Sequence, residues 1–73
     1  MRVIDAGGRV RYVSIGRTRL LALLCAVPAV TVAQTIRCSR SAVASWSAGL
    51  RCPEHAPRVR LMVAYGIPTE SWD

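Results

Sequence analysis

Leu20 to Ala33 is a run of fourteen residues with one polar side chain, Thr31, and a proline, Pro28, near its middle. It is shorter than the roughly 20 apolar residues that a helix needs to cross the hydrocarbon of a bilayer. Proline has no amide hydrogen to donate and its ring clashes inside a helix, yet it suits the first turn of one. The run is therefore expected to divide at Val27-Pro28 into two short helices, each burying one apolar face. A competing reading takes Arg17 and Arg19 as a basic leader, the run as its apolar middle and Thr31-Val32-Ala33 as a small-residue cleavage site. Against it stand nineteen upstream residues with a structured pattern. The remainder would also be only about forty residues, too few for a core without covalent staples.

The balance of charge narrows the partner. Ten arginines and no lysine stand against four acidic residues, a net charge of +6 on 73 residues. An excess of this size implies an anionic partner, nucleic acid or a membrane surface. The all-arginine choice favours nucleic acid, because the planar guanidinium grips phosphate or a guanine edge with two parallel hydrogen bonds. Cys25, Cys38 and Cys52 form no C-x-x-C pair and His55 is the sole histidine. The odd cysteine count does not suit a secreted disulfide framework, and neither a metal nor another cofactor is expected. There is no glycine-rich phosphate loop, no pair of carboxylates on any of the four expected helices and no base placed beside a nucleophile, so no enzymatic activity is expected.

Local signals give the elements. Within residues 2–14, Val10, Tyr12 and the neighbouring arginines alternate with period two after the Gly7-Gly8 turn, which predicts a β-hairpin or a basic arm. A first helix should start near Ile15–Thr18, capped by Ser14 or Thr18, with Leu20, Leu24 and Val27 on one face and Leu21 beside it. A second should run from Pro28 to about Thr35 with Val32, Ala33 and Ile36 inward. Ser39 is an N-cap for a third helix over 40–48, with Val43 and Trp46 inward and Gly49 ending it. A fourth spans about 54–65, its regular part delayed by Pro57, with Leu61, Met62 and Tyr65 on one stripe and Gly66 stopping it. Trp72 is expected to fold back against the core.

The stretch Val32-Ala33-Gln34-Thr35-Ile36-Arg37-Cys38-Ser39-Arg40-Ser41-Ala42-Val43-Ala44-Ser45-Trp46 resembles the helix-turn-helix of the Xre/Cro family of phage and plasmid repressors. Gly49, the Pro53 loop, Leu61 to Pro68 and Glu70-Ser71-Trp72 resemble the family's next segment, so the likeness covers about residues 17–73. It implies a mainly α, compact four-helix domain over 17–73, with residues 1–16 as an N-terminal hairpin or arm outside the family pattern. It also implies Ser39, Arg40, Ser41, Ala44 and Ser45 facing DNA bases. Arg37, Arg51 and Arg58 are candidate phosphate contacts. One departure stands out: the family has glycine in the turn where this chain has Arg37, which would need a left-handed backbone at a cost of about 1 kcal/mol or more.

The expectation is a cytoplasmic, sequence-specific binder of double-stranded DNA, a small repressor or an antitoxin with a toxin partner. It would act as a homodimer, since one such domain covers a half-site. The alternatives are a secreted or membrane-associated protein using residues 17–33 as signal or anchor, and an interaction module of the same fold that does not bind DNA.

Overall fold

The structure is a computed structural model and describes residues 2–73; Met1, within the expected 1–16 arm, lies outside the described residues. A short hairpin leads into four helices and a closing single-turn helix. Its strands are β1 (Arg2–Ile4) and β2 (Val10–Tyr12), paired antiparallel with Arg2 opposite Tyr12, Val3 opposite Arg11 and Ile4 opposite Val10. Asp5 builds the turn between them. Its Oδ1 accepts the amides of Gly7 and Arg9, each at 2.9 Å, and its carbonyl accepts that of Gly8 at 3.0 Å. Of the two turn glycines only Gly8 takes a positive φ, +78°, the left-handed step that closes the hairpin loop.

Helix α1 (Ile15–Ala26) opens on Ser14, whose hydroxyl accepts the Arg17 amide at 3.0 Å. Gly16 therefore lies in α1. The helix ends at Val27, and after Pro28 helix α2 (Ala29–Ile36) departs at 118° to it. No single helix among the described residues is long and apolar enough to cross a membrane. Helix α3 (Arg40–Ser47) and helix α4 (His55–Tyr65) come next, and Thr69–Trp72 forms a 3-10 turn. Pro57 does not delay α4. It is the third residue of the helix, where the amide has no intrahelical acceptor to lose.

Leu20, Val32, Ala33, Ile36, Val43, Trp46, Leu61, Ile67 and Trp72 form the core. The two halves of the apolar run contribute unequally. In α1 Leu20 is the only fully buried leucine, with Leu23, Leu24 and Val27 packed beside it. Leu21, Ala22, Cys25 and Ala26 belong to the wetter side of the run, and Leu21 is 40% exposed while Cys25 is exposed. A helix meeting its core along one stripe buries positions three and four apart, and Leu21 and Cys25 fall outside that stripe. The same geometry corrects the expected α4 stripe. Leu61 is buried and Tyr65 half-buried, but Met62 is exposed.

Trp72 closes the domain. Its indole lies over the first turn of α1 where Gly16 has no side chain. An ideal Cβ at Gly16 would sit 2.5 Å from Trp72 Cδ2. That glycine is required by close approach of a ring and not by backbone conformation.

Candidate nucleic-acid interface

The link between α2 and α3 is three residues long, Arg37, Cys38 and Ser39. The Cys38 amide donates to the Ala33 carbonyl at 2.9 Å and the Arg37 amide to that of Gln34 at 3.3 Å. This is the paired-bond helix ending usually built on a left-handed glycine. Arg37 occupies the left-handed position, with φ 58° and ψ 43°, the only non-glycine among the described residues with positive φ. The chain then extends through Ser39, whose Oγ accepts the Ala42 amide at 3.1 Å and starts α3. At the far end Gly49 takes φ +76°, with the Gly49 amide on the Trp46 carbonyl and the Leu50 amide on that of Ser45. Both ends of α3 are thus fixed by chemistry local to the sequence.

Helix α3 has three distinct faces. Val43 and Trp46 point into the core. Arg40 and Ala44, four apart, are exposed to solvent. Ser41 and Ser45, also four apart, line a groove of about 550 Å³. Its lining also includes Cys38, Ser39, Ala42 and Trp46 from α3 and the turn before it, and Arg51, Cys52, Glu54 and Pro57 from the following loop and the start of α4. The five residues expected to face bases therefore fall on two adjoining surfaces. Ser45 is half-buried in the groove wall, whereas Arg40, Ser41 and Ala44 are exposed.

The arginines divide into inward and outward sets. Arg17 Nε donates to the Ser47 carbonyl at 2.9 Å, at the last residue of α3. Arg60 Nη1 donates to the Ile36 carbonyl at 3.3 Å, at the last residue of α2. Each places a cation on carbonyls that a helix end leaves without amide partners. Arg11 pairs with Asp5 at 3.5 Å.

Arg58, the third arginine expected to contact phosphate, is turned inward, with all three of its nitrogens engaged within the chain. Nε donates to the Pro53 carbonyl at 2.8 Å, Nη1 to the Asp73 carboxylate at 2.8 Å and Nη2 to the Cys52 sulfur at 3.2 Å. The hydrogen bond to Asp73 is the main reason its pKa lies above the ordinary guanidinium value; partial burial acts in the opposite direction and proximity to Cys52 adds to the rise. Arg58 holds the chain end to the loop before α4.

Among the described residues the guanidiniums of Arg2, Arg9, Arg19, Arg37, Arg40 and Arg51 have no side-chain partner. Two of the three arginines expected to touch phosphate, Arg37 and Arg51, belong to this outward set, as does Arg40. Arg37 and Arg40 flank the Ser39 cap and Arg51 lines the groove with Ser39 and Ser41. Sequence reasoning missed the groove's acidic wall, Glu54, and the two thiols, Cys38 and Cys52, that face the same space. Only their flanking of α3 and of the loop after it hinted at a common location. No group of three or more histidine, cysteine or carboxylate side chains converges among the described residues.

These features define a mainly helical domain with a small two-stranded sheet and one cationic, small-residue surface on α3. No family model, curated protein or solved structure matches the chain.

Proposed function

We propose that this chain is a sequence-specific double-stranded DNA-binding protein, a small cytoplasmic transcriptional regulator of the repressor or antitoxin kind, with α2 and α3 acting as a helix-turn-helix. The observation that carries the reading is the gathering of three guanidiniums without side-chain partners, Arg37, Arg40 and Arg51, around the first turn and flank of one short helix. The remaining outward surface of that helix is small: Ser41 and Ala44 are exposed there.

The dimensions suit the task. Eight residues of α-helix are about 12 Å long, close to the width of the major groove. Serine and alanine side chains let the helix approach base edges closely. Arg40, at the first helical position, is the reader of guanine O6 and N7, worth about 1–3 kcal/mol of discrimination. Ala44 would meet a thymine methyl. Ser39 and Ser41 would hydrogen-bond base edges, and Ser45 has the shortest reach because it is half-buried. Arg37 and Arg51 would hold phosphates on either side and set the register.

The test begins with selection of bound duplexes from random sequence, followed by gel-shift titration at several salt concentrations. Arg40→Ala should cost about tenfold or more on the selected site and flatten preference among its variants. Arg51→Ala should weaken all duplexes alike and lower the slope of log K against log salt by about one. If neither substitution changes binding, or no sequence is enriched, the reading is wrong. A second reading, an interaction module without DNA binding, draws on the exposed apolar side of α1 and α2, where Leu21 and Val30 are 40% and 41% exposed.

A further inference from the structure

The hairpin has two edges, and only one is covered. The Asp5 amide donates to the Arg9 carbonyl at 2.9 Å, so Asp5 and Arg9 form a hydrogen-bonded pair. Such pairs alternate along an antiparallel ladder. Val3 and Arg11 are then the next hydrogen-bonded pair, while the backbone groups of Arg2 and Ile4 point away from β2 and those of Val10 and Tyr12 away from β1. On the β2 side the Tyr12 amide donates to the Gly49 carbonyl at 2.8 Å, which anchors the sheet to the end of α3. On the β1 side the amides and carbonyls of Arg2 and Ile4 have no such acceptor or donor among the described residues. The side chains around them are apolar and exposed, with Ile4 at 68%, Val10 at 41% and Val3 at 38%.

We infer that β1 is a self-pairing edge: two copies of this chain join antiparallel along β1, with Val3 on the two-fold axis, into one four-stranded sheet. This register brings Arg2 opposite Ile4 of the second copy and Ile4 opposite its Arg2. It satisfies all four outward groups of each strand with four intermolecular hydrogen bonds. It sets the two Val3 side chains against each other on the axis and keeps the two Arg2 guanidiniums from facing directly, a like-charge opposition that disfavours strand pairing.

A second copy suits the edge for a further reason. The sheet is tied to the C-terminal end of α3 through the Tyr12 to Gly49 bond, and α1, which follows the sheet directly, is tied to the same end through the Arg17 bond to Ser47. Joining the two sheets therefore fixes the orientation of the two α3 helices relative to each other. A protein that reads DNA through two half-sites requires such a constraint. The inference extends the DNA reading by naming its dimer surface, and it is tested without DNA, so the two can fail separately.

Three residues per strand make a small interface, so association should be weak and visible as a concentration-dependent rise in mass. Sedimentation of the full chain over micromolar to millimolar concentrations is the first measurement. Amide hydrogen exchange is the second: the Ile4 amide should become protected as concentration rises. Ile4→Pro removes an outward amide without touching a bond inside the hairpin, and should move the monomer–dimer midpoint at least about tenfold upward. Ile4→Lys, which keeps the backbone but places a charge at the edge, should do the same. Unchanged circular dichroism in either variant shows that the fold is intact. A monomer at every concentration overturns the inference. So does a dimer unaffected by both substitutions with an Ile4 amide that stays unprotected, because the interface would then lie elsewhere, as on the exposed side of α1.

Discussion

Replacing glycine by alanine in a helix ordinarily stabilises it by up to about 1 kcal/mol, because glycine loses more backbone freedom on folding. At Gly16 the sign should reverse. An ideal Cβ there lies 2.5 Å from Trp72 Cδ2, 2.8 Å from Cε2 and 2.9 Å from Ser71 Oγ. Two of these atoms belong to a rigid ring that is 3% exposed, so no flexible tip can swing aside. Normal contact requires the indole to retreat by roughly 1 Å. Overpacking of this kind costs about 1–3 kcal/mol, and full ejection of a buried tryptophan about 3–5. After crediting the helix gain, Gly16→Ala should destabilise the domain by about 2 kcal/mol. For a domain of this size that lowers Tm by about 10 °C. Urea unfolding followed by far-ultraviolet circular dichroism measures the change directly. The companion is Gly16→Ala in a Trp72→Leu background, where the ring is gone and alanine should regain its ordinary advantage. If Gly16→Ala alone raises stability, or the double-mutant cycle shows no coupling, the contact between α1 and the 3-10 turn is not what closes this fold.

Arg37→Gly should stabilise by about 0.5–1 kcal/mol, since glycine adopts the left-handed turn without strain and the gain is trimmed by its greater freedom when unfolded; the same protein should bind duplex DNA more weakly, giving opposite signs in thermal denaturation and gel shift. Ser39→Ala should cost about 1 kcal/mol in urea unfolding through loss of the cap on Ala42. Ser39→Asp should keep that stability yet reduce DNA affinity, because the carboxylate repels phosphate at the helix start. Arg58→Ala should destabilise by about 2 kcal/mol, mostly through the charged bond to the Pro53 carbonyl, since Asp73 is 73% exposed and its ion pair is screened by water. Because its pKa is raised on folding, Arg58 stabilises fully at every pH below the ordinary guanidinium range and loses that effect only above it. The difference between wild type and Arg58→Ala in urea should accordingly stay flat between about pH 6 and 10.

What could be read from the chain was whatever is set by chemistry within a few residues. Pro28, Ser39, Gly49 and Gly66 fixed helix ends because caps and breakers act on the nearest turn. Val32, Ile36, Val43 and Trp46 were legible as core because their spacing follows the helical period, whereas the left-handed backbone at Arg37 was implied only by the resemblance, which has glycine at that turn position. The tertiary partners were not legible. Arg17 reaches Ser47 thirty positions away and Arg58 reaches Asp73 fifteen away, and an isolated arginine reads alike whether it faces a carbonyl or water. The inward turn of Arg58 was hidden for this reason. The inner face of α1 was legible from the spacing of Leu20, Leu24 and Val27, but how far Leu21 beside it would stay exposed was not.

The division of the cations has a biochemical corollary. Every side-chain positive charge, whether braced on a helix terminus or turned to solvent, sits on a guanidinium, and no lysine is present. Side-chain acetylation, methylation or ubiquitin transfer at lysine amines therefore finds no target here. Any charge-changing modification that loosened such a domain from a polyanion would have to act on other side chains, such as the exposed Ser39 and Ser41 hydroxyls.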